Sequence, residues 1–183
     1  TEESPYLISN KTHLNNVRKY LDAHFKMVAD IEFTEADFAE DGDFYNDGQG
    51  WEPIGTDNIS PFLGVFDGDG HTIKGLYINI SSSTSVVYAG LFGYSCGIIR
   101  SIGLLNGNIS VSSDSVSAGG IAGENMGSIS ECYSTGGVSA LFVSDSIAGL
   151  ARVGGIAGEN DGTISNCYNT GSVSASFANA SAS

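Results

Sequence analysis

Residues 119–140 read GGIAGENMGSISECYSTGGVSA, and residues 154–175 read GGIAGENDGTISNCYNTGSVSA. The two stretches align without a gap, and 154 − 119 sets a period of 35 residues. A looser copy begins at Gly90 as GLFGYSCGIIRSIGLLNGNIS. Its Gly90, Gly93 and Gly97 fall where Gly120, Gly123 and Gly127 fall, with one residue extra later in the copy. Self-similarity at such a period marks an array whose units bury their apolar faces only against one another.

Each block translates into short strands. GGIAG is an apolar stretch ended by Glu-Asn and Gly, GSISEC alternates small or polar residues with Ile129 and Cys132, and TGGVSA carries Val138. This predicts about three strands of 3–5 residues per block, separated by Gly, Asn or Thr corners. Two-residue hairpin turns are not the pattern; the chain bends repeatedly one way, so that successive copies stack ~4.8 Å apart. Ile121 then sits under Ile156, Ile129 under Ile164 and Val138 under Val173, while Asn125 and Asn160 form an amide ladder at a corner. Cys132 and Cys167 become interior neighbours, better suited to buried thiols than to a disulfide, because parallel stacking gives a poor S–S torsion. The predicted fold is all-β, a right-handed parallel β-helix, the hand following from variable coil length. Residues 111–118 and 141–153, between the blocks, read as loops or irregular strands completing each coil.

The first third differs. Asn10 and its neighbours offer N-caps for HLNNVRKYLDAHF, with Leu14, Val17 and Leu21 at helical spacing, and KMVADIEF follows as an alternating run. A short helix here is expected to cover the open strand edges at the end of the solenoid. Residues 34–60 form a long, polar, acidic loop with the single Trp, and PFLGVFDGDGHTIKGLYINI enters the solenoid through two strands joined at a Gly-rich bend. The expected organisation is an N-terminal cap over 1–50 and a β-helix over 51–183, with repeats at 90–118, 119–153 and 154–183.

Composition agrees with short strands and turns. Only 15% of the 183 residues are charged, and 25 are Gly. The formal net charge is −14, and 15 of the 21 carboxylates lie in residues 1–75. Such a chain repels phosphate backbones, which excludes nucleic-acid binding. No apolar run reaches the ~18 residues that a membrane-spanning helix requires. The opening TEESPYL carries no basic, apolar leader, and SVSASFANASAS reads as an edge inside a longer chain.

The order of motifs from ADIEF through GWEPIG, PFLGVFDGDGHTIKGLYI and AGLFGYSCGIIRSIGL to the paired GGIAGEN blocks resembles the GLUG-motif proteins, over roughly residues 25–175. These are bacterial surface and secreted β-helix proteins, and their repeat also occurs in immunoglobulin A1-specific metallopeptidases outside the catalytic domain. GIAGEN stands where the family more often shows GLAGxN, and Asp69 where Asn is common. The resemblance implies an extracellular or cell-surface location, a structural or adhesive role within a longer parent chain, and no catalytic residues.

The residues themselves offer two candidate chemistries. Asp67 and Asp69 share a strand face beside His71, an arrangement polysaccharide-cleaving β-helices use, but Asp-Gly-Asp-Gly is also turn chemistry, and no Arg is evident nearby. Asp41, Asp43 and Asp47, with Asn46, supply oxygen to a possible calcium ion. The EF-hand template fails, since Tyr45 and Asn46 stand at positions 5 and 6. His13, His24 and His71 lack zinc-enzyme spacing. No catalytic residue, and no cofactor beyond that calcium, is therefore expected. The expected function is a non-catalytic stalk, spacer or adhesin whose partners are host or cell-surface glycans or proteins. The alternatives are a carbohydrate-binding or carbohydrate-cleaving β-helix, which would show a groove lined by acidic and aromatic residues, and a non-catalytic repeat region of a secreted immunoglobulin A1-type metallopeptidase.

Overall fold

The computed structural model describes residues 1, 3–82, 86–143 and 150–178. Strand β1 (Tyr6–Ile8) precedes helix α1 (Lys11–Asn16), and β2 (His24–Met27) and β3 (Ile31–Glu32) follow. Three complete coils come next. The first contains β4 (Val65–Asp67), β5 (Thr72–Lys74), β6 (Tyr77–Ser81), β7 (Val86–Ala89) and β8 (Phe92–Ser95). The second contains β9 (Ile98–Arg100), β10 (Gly103–Leu105), β11 (Asn108–Ser113), β12 (Ser115–Gly119) and β13 (Ala122–Asn125). The third contains β14 (Ser128–Ser130), β15 (Tyr133–Ser134), β16 (Gly137–Val143), β17 (Ala151–Gly154) and β18 (Ala157–Asn160). A further turn holds β19 (Thr163–Ser165), β20 (Tyr168–Asn169) and β21 (Val173–Ala178).

Corresponding strands pair in parallel and build five faces: β1-β2-β4-β9-β14-β19, β3-β5-β10-β15-β20, β6-β11-β16-β21, β7-β12-β17 and β8-β13-β18. This is a parallel β-solenoid. The expected columns form: Ile129 pairs with Ile164, Val138 with Val173, and the Ile121 N–H donates to the Ile156 carbonyl at 2.9 Å. The Asn125 amide donates to Asn160 Oδ1 at 2.6 Å, so the predicted amide ladder is real. The extra residue of the looser copy is visible in the register. Gly103 pairs with Tyr133, an offset of 30, whereas Asn108 pairs with Gly137, an offset of 29. Asn106, at φ 51°, lies in the intervening corner.

Each coil has five strands rather than the three expected per block. VSSDSVSA, expected as loop or irregular strand, runs through β11 and β12; of the second spacer, 144–149 lies outside the described residues. The entry segment likewise supplies three strands, β4 to β6, because the chain turns a second time at Gly75 (φ 74°). Every residue of β13, and all but the first of β12, is buried, so no inside–outside alternation is left to read.

The N-terminal helix is one and a half turns long, capped by Asn10 Oδ1, which accepts the His13 N–H at 2.8 Å, and continued by a 3-10 turn at Val17–Lys19. Leu14 and Val17 are fully buried. Residues 34–60 are pinned by aromatic pegs, a feature the acidic composition concealed. Phe44 packs edge-on to Phe33 at 5.1 Å, Trp51 packs on both, and the Trp51 indole N–H donates to the Leu91 carbonyl at 3.1 Å. Arg18 covers the outer face of Trp51 at 4.7 Å. Bridges from Ile54 to Phe92 and from Phe62 to Ser95 carry this segment onto the fifth face.

Candidate functional site

The first and second faces meet at a corner where each described turn holds a left-handed non-Gly residue, joined in the first coil by Gly70 (φ 83°). The non-Gly residues are Asp69 (φ 50°), Ser101 (φ 53°), Glu131 (φ 55°) and Asn166 (φ 53°). The corners stack: the Gly70 N–H donates to the Ser101 carbonyl at 2.9 Å, and the Glu131 N–H donates to the Ser165 carbonyl at 3.1 Å. A left-handed conformation costs a non-Gly residue roughly 1–2 kcal/mol, least for Asn and Asp. The rest of the coil must hold Ser101 and Glu131 there.

Just before the corner, Phe66, Ile99 and Ile129 point inward and Asp67, Arg100 and Ser130 outward. Lys26, Asp67 and Arg100 are in register on adjacent strands, so opposite charges alternate along the rod. Arg100 grips Asp67 Oδ2 through Nη2 at 2.8 Å and Nε at 2.9 Å, and Lys26 reaches Asp69 Oδ2 at 3.0 Å. Asp67 Oδ1 accepts the Asp69 N–H at 2.9 Å, and Glu131 Oε2 accepts the Ser101 hydroxyl at 2.8 Å. Past the corner, Tyr133 lies against Gly103, where a Cβ would fall 2.4 Å from the ring; its other face stacks on Tyr168 at 5.2 Å with the planes 5° apart. Asp67, Asp69, Arg100, Ser101, Glu131 and Tyr133 line an open recess of ≈ 490 Å³, which adjoins a second of ≈ 160 Å³ through the shared Asp67 and Arg100.

The catalytic-looking trio of the sequence does not converge. Asp67 is committed to Arg100, the corner turns Asp69 towards Lys26, and His71 Nδ1 lies 3.2 Å from Asp30. Asp30 is held below its ordinary range by the Thr72 N–H and then by His71. Arg100, absent from the sequence expectation, arrives from the next coil, 33 residues on. One aromatic ring, Tyr133, stands beside the carboxylates of Asp67, Asp69 and Glu131 around this corner. Asp41, Asp43 and Asp47 stay exposed beside the buried Phe44, and among the described residues no three His, Cys, Asp or Glu side chains converge to hold a metal ion. Cys96, Cys132 and Cys167 are free thiols, and burial pushes Cys132 up to about 12.

A second polar cluster sits where the fourth and fifth faces fold back on each other. Gly123 allows the approach, since a Cβ there would meet backbone atoms of Ala89, Gly93 and Ser117, each at 2.7 Å. Tyr94, Glu124 and Glu159 stack in register, the Tyr94 hydroxyl donates to Glu124, and Arg152 bridges to Glu159 at 3.1 Å. Burial raises Glu124 above the carboxylate range, and burial followed by the Glu124 bond pushes Tyr94 up to about 12.

The fold thus defines the class: a parallel β-solenoid of Gly-rich repeats. Residues 149–174 match the family model of the GLUG motif, so the chain carries a GLUG repeat. It is 39% identical over 133 residues to a provisionally named Gly-rich membrane protein of Evansella cellulosilytica, covering 70% of this chain and 14% of that protein. It is 34% identical over 146 residues to halomucin of Haloquadratum walsbyi, covering 76% of this chain and 2% of that protein. A crystal structure provisionally named an immunoglobulin A1 protease, from Bacteroides ovatus, superposes with a TM-score of 0.61 and 28% identity over 97% of this chain and 60% of that one. The chain therefore spans a small part of the curated relatives it matches.

Proposed function

We propose that this chain is a rigid, non-catalytic segment of a surface or secreted protein, serving as a spacer that also presents its corners for adhesion. The observation that carries this reading is the unbroken parallel pairing on five faces, which makes neighbouring coils into a rod whose cross-section is set by the interior columns. The names of two much longer relatives, a Gly-rich membrane protein and halomucin, support an extracellular or cell-surface location. The likeness to the Bacteroides ovatus protein along nearly the whole chain supports a second reading, a repeat region beside a protease domain in the parent.

The test is excision of one coil. Removing residues 119–153 joins Ala118 to Gly154 in the same register, because Ala118 pairs with Val153. Small-angle scattering is expected to show a rod shorter by ~4.8 Å with unchanged β-sheet circular dichroism. Collapse or unfolding of the shortened chain would overturn the rod reading.

A further inference from the structure

We propose that the recess at the first corner binds an uncharged, hydroxyl-rich saccharide lying along the rod. The recess of ≈ 490 Å³ falls within the size range of small-molecule sites. It also has a direction: Asp67, Arg100 and Glu131 come from three successive coils, and the adjoining recess carries it on to Lys26. The coil rise of ~4.8 Å is close to the length of one pyranose unit, so successive sugars meet successive coils.

The lining has the chemistry to read vicinal hydroxyls. Carboxylates of Asp67, Asp69 and Glu131 only accept, the Arg100 guanidinium only donates, and the Ser101 hydroxyl does both. Each carboxylate offers about four lone-pair sites, more than its ion pair or hydrogen bond occupies. Tyr133, its faces covered by Gly103 and Tyr168, presents its ring edge to the recess. These side chains are held by one another and by stacked backbone corners, so little ordering is left for the ligand to supply. Carboxylates outnumber cations in the recess and the chain carries −14, which disfavours uronic or sulfated glycans.

The proposal deepens the adhesive part of the reading above; coil excision tests the rod, whereas binding tests this recess. The probes are cello-, manno- and chito-oligosaccharides of four to six units, with a sulfated oligosaccharide as comparator, titrated into isotope-labelled chain and followed by amide chemical shifts. The expected result is saturable shifts from a neutral series, concentrated at Asp69, Ser101, Gly103 and Glu131. Glu131→Asn, which places the Asn166 residue type at the same corner, and Tyr133→Ala are each expected to weaken binding about tenfold or more. Phe177→Ser, on another face, is expected to leave it unchanged. The proposal is overturned if no neutral saccharide shifts those amides at millimolar concentration, if only the sulfated probe binds, or if a folded Glu131→Asn chain binds as the unaltered one does. Should Tyr133→Ala unfold, Glu131→Asn and the shift map still decide.

Discussion

At the scale of single residues, the informative groups are the buried polar ones. Asn125 is fully buried and donates to both Asn160 Oδ1 and the Thr163 carbonyl. Asn125→Ala removes both bonds, whose acceptors lie on exposed residues, and is expected to cost about 0.5–1.5 kcal/mol, read as the shift in a denaturant midpoint. Ser117 is the reverse case: its Oγ is buried without a hydrogen-bond partner among the described residues. Ser117→Ala is expected to leave stability unchanged or raise it by about 1 kcal/mol; a loss of stability in the same denaturation series would mean that the hydroxyl has a native partner. Glu124 gives a pH test. Its folded-state pKa is raised, first by burial, so the stability it allows is fully present below its ordinary value of 4.5 and is lost as pH rises through the folded value. Glu124→Gln should therefore melt higher than the unaltered chain at pH 7, with the gap closing at pH 4. A gap independent of pH would remove the buried carboxylate from the account.

At the scale of elements, the tight junction of the fourth and fifth faces governs the repeat. A Cβ at Gly123 would meet only backbone, which cannot swing aside, so Gly123→Ala is expected to cost about 3 kcal/mol or more. At Gly103 the obstacle is the far end of the Tyr133 ring, which can move. Gly103→Ala should cost less and report itself instead as a loss of the Tyr133–Tyr168 stack in near-ultraviolet circular dichroism. The same elements mark how far the sequence could be read. Where two blocks are nearly identical, Ile129 over Ile164 and Asn125 over Asn160 follow from counting. Asp67 and Arg100 meet at an offset of 33 between coils that share little sequence, and no period of 35 locates that pair. The Phe33–Phe44–Trp51 cluster stayed hidden because its members sit between carboxylates in a stretch without periodicity, and the junction strands because both their sides are buried.

At the scale of the whole molecule, stability is a sum of coil-to-coil contacts, and the coils are not equivalent. Early coils interlock through rings, with Phe92 packed on both Phe62 and Phe66, whereas later ones use Ile, Val and Ala columns. In β19 to β21 the described residues are mostly exposed, Phe177 at 61%, and among the described residues only the third coil pairs with them. Amide hydrogen exchange is expected to be slowest in β9 to β13 and fastest in β19 to β21. Uniform protection along the rod would instead indicate one cooperative unit.

The matched blocks at 119–140 and 154–175 also bear on heredity. An exchange between the two blocks adds or removes 35 residues, one whole coil, and leaves the strand register intact. Such a gene can lengthen or shorten its product within a lineage while every interior column, amide ladder and corner survives. Natural variation in this molecule is therefore expected to come as whole numbers of coils more readily than as scattered insertions within them.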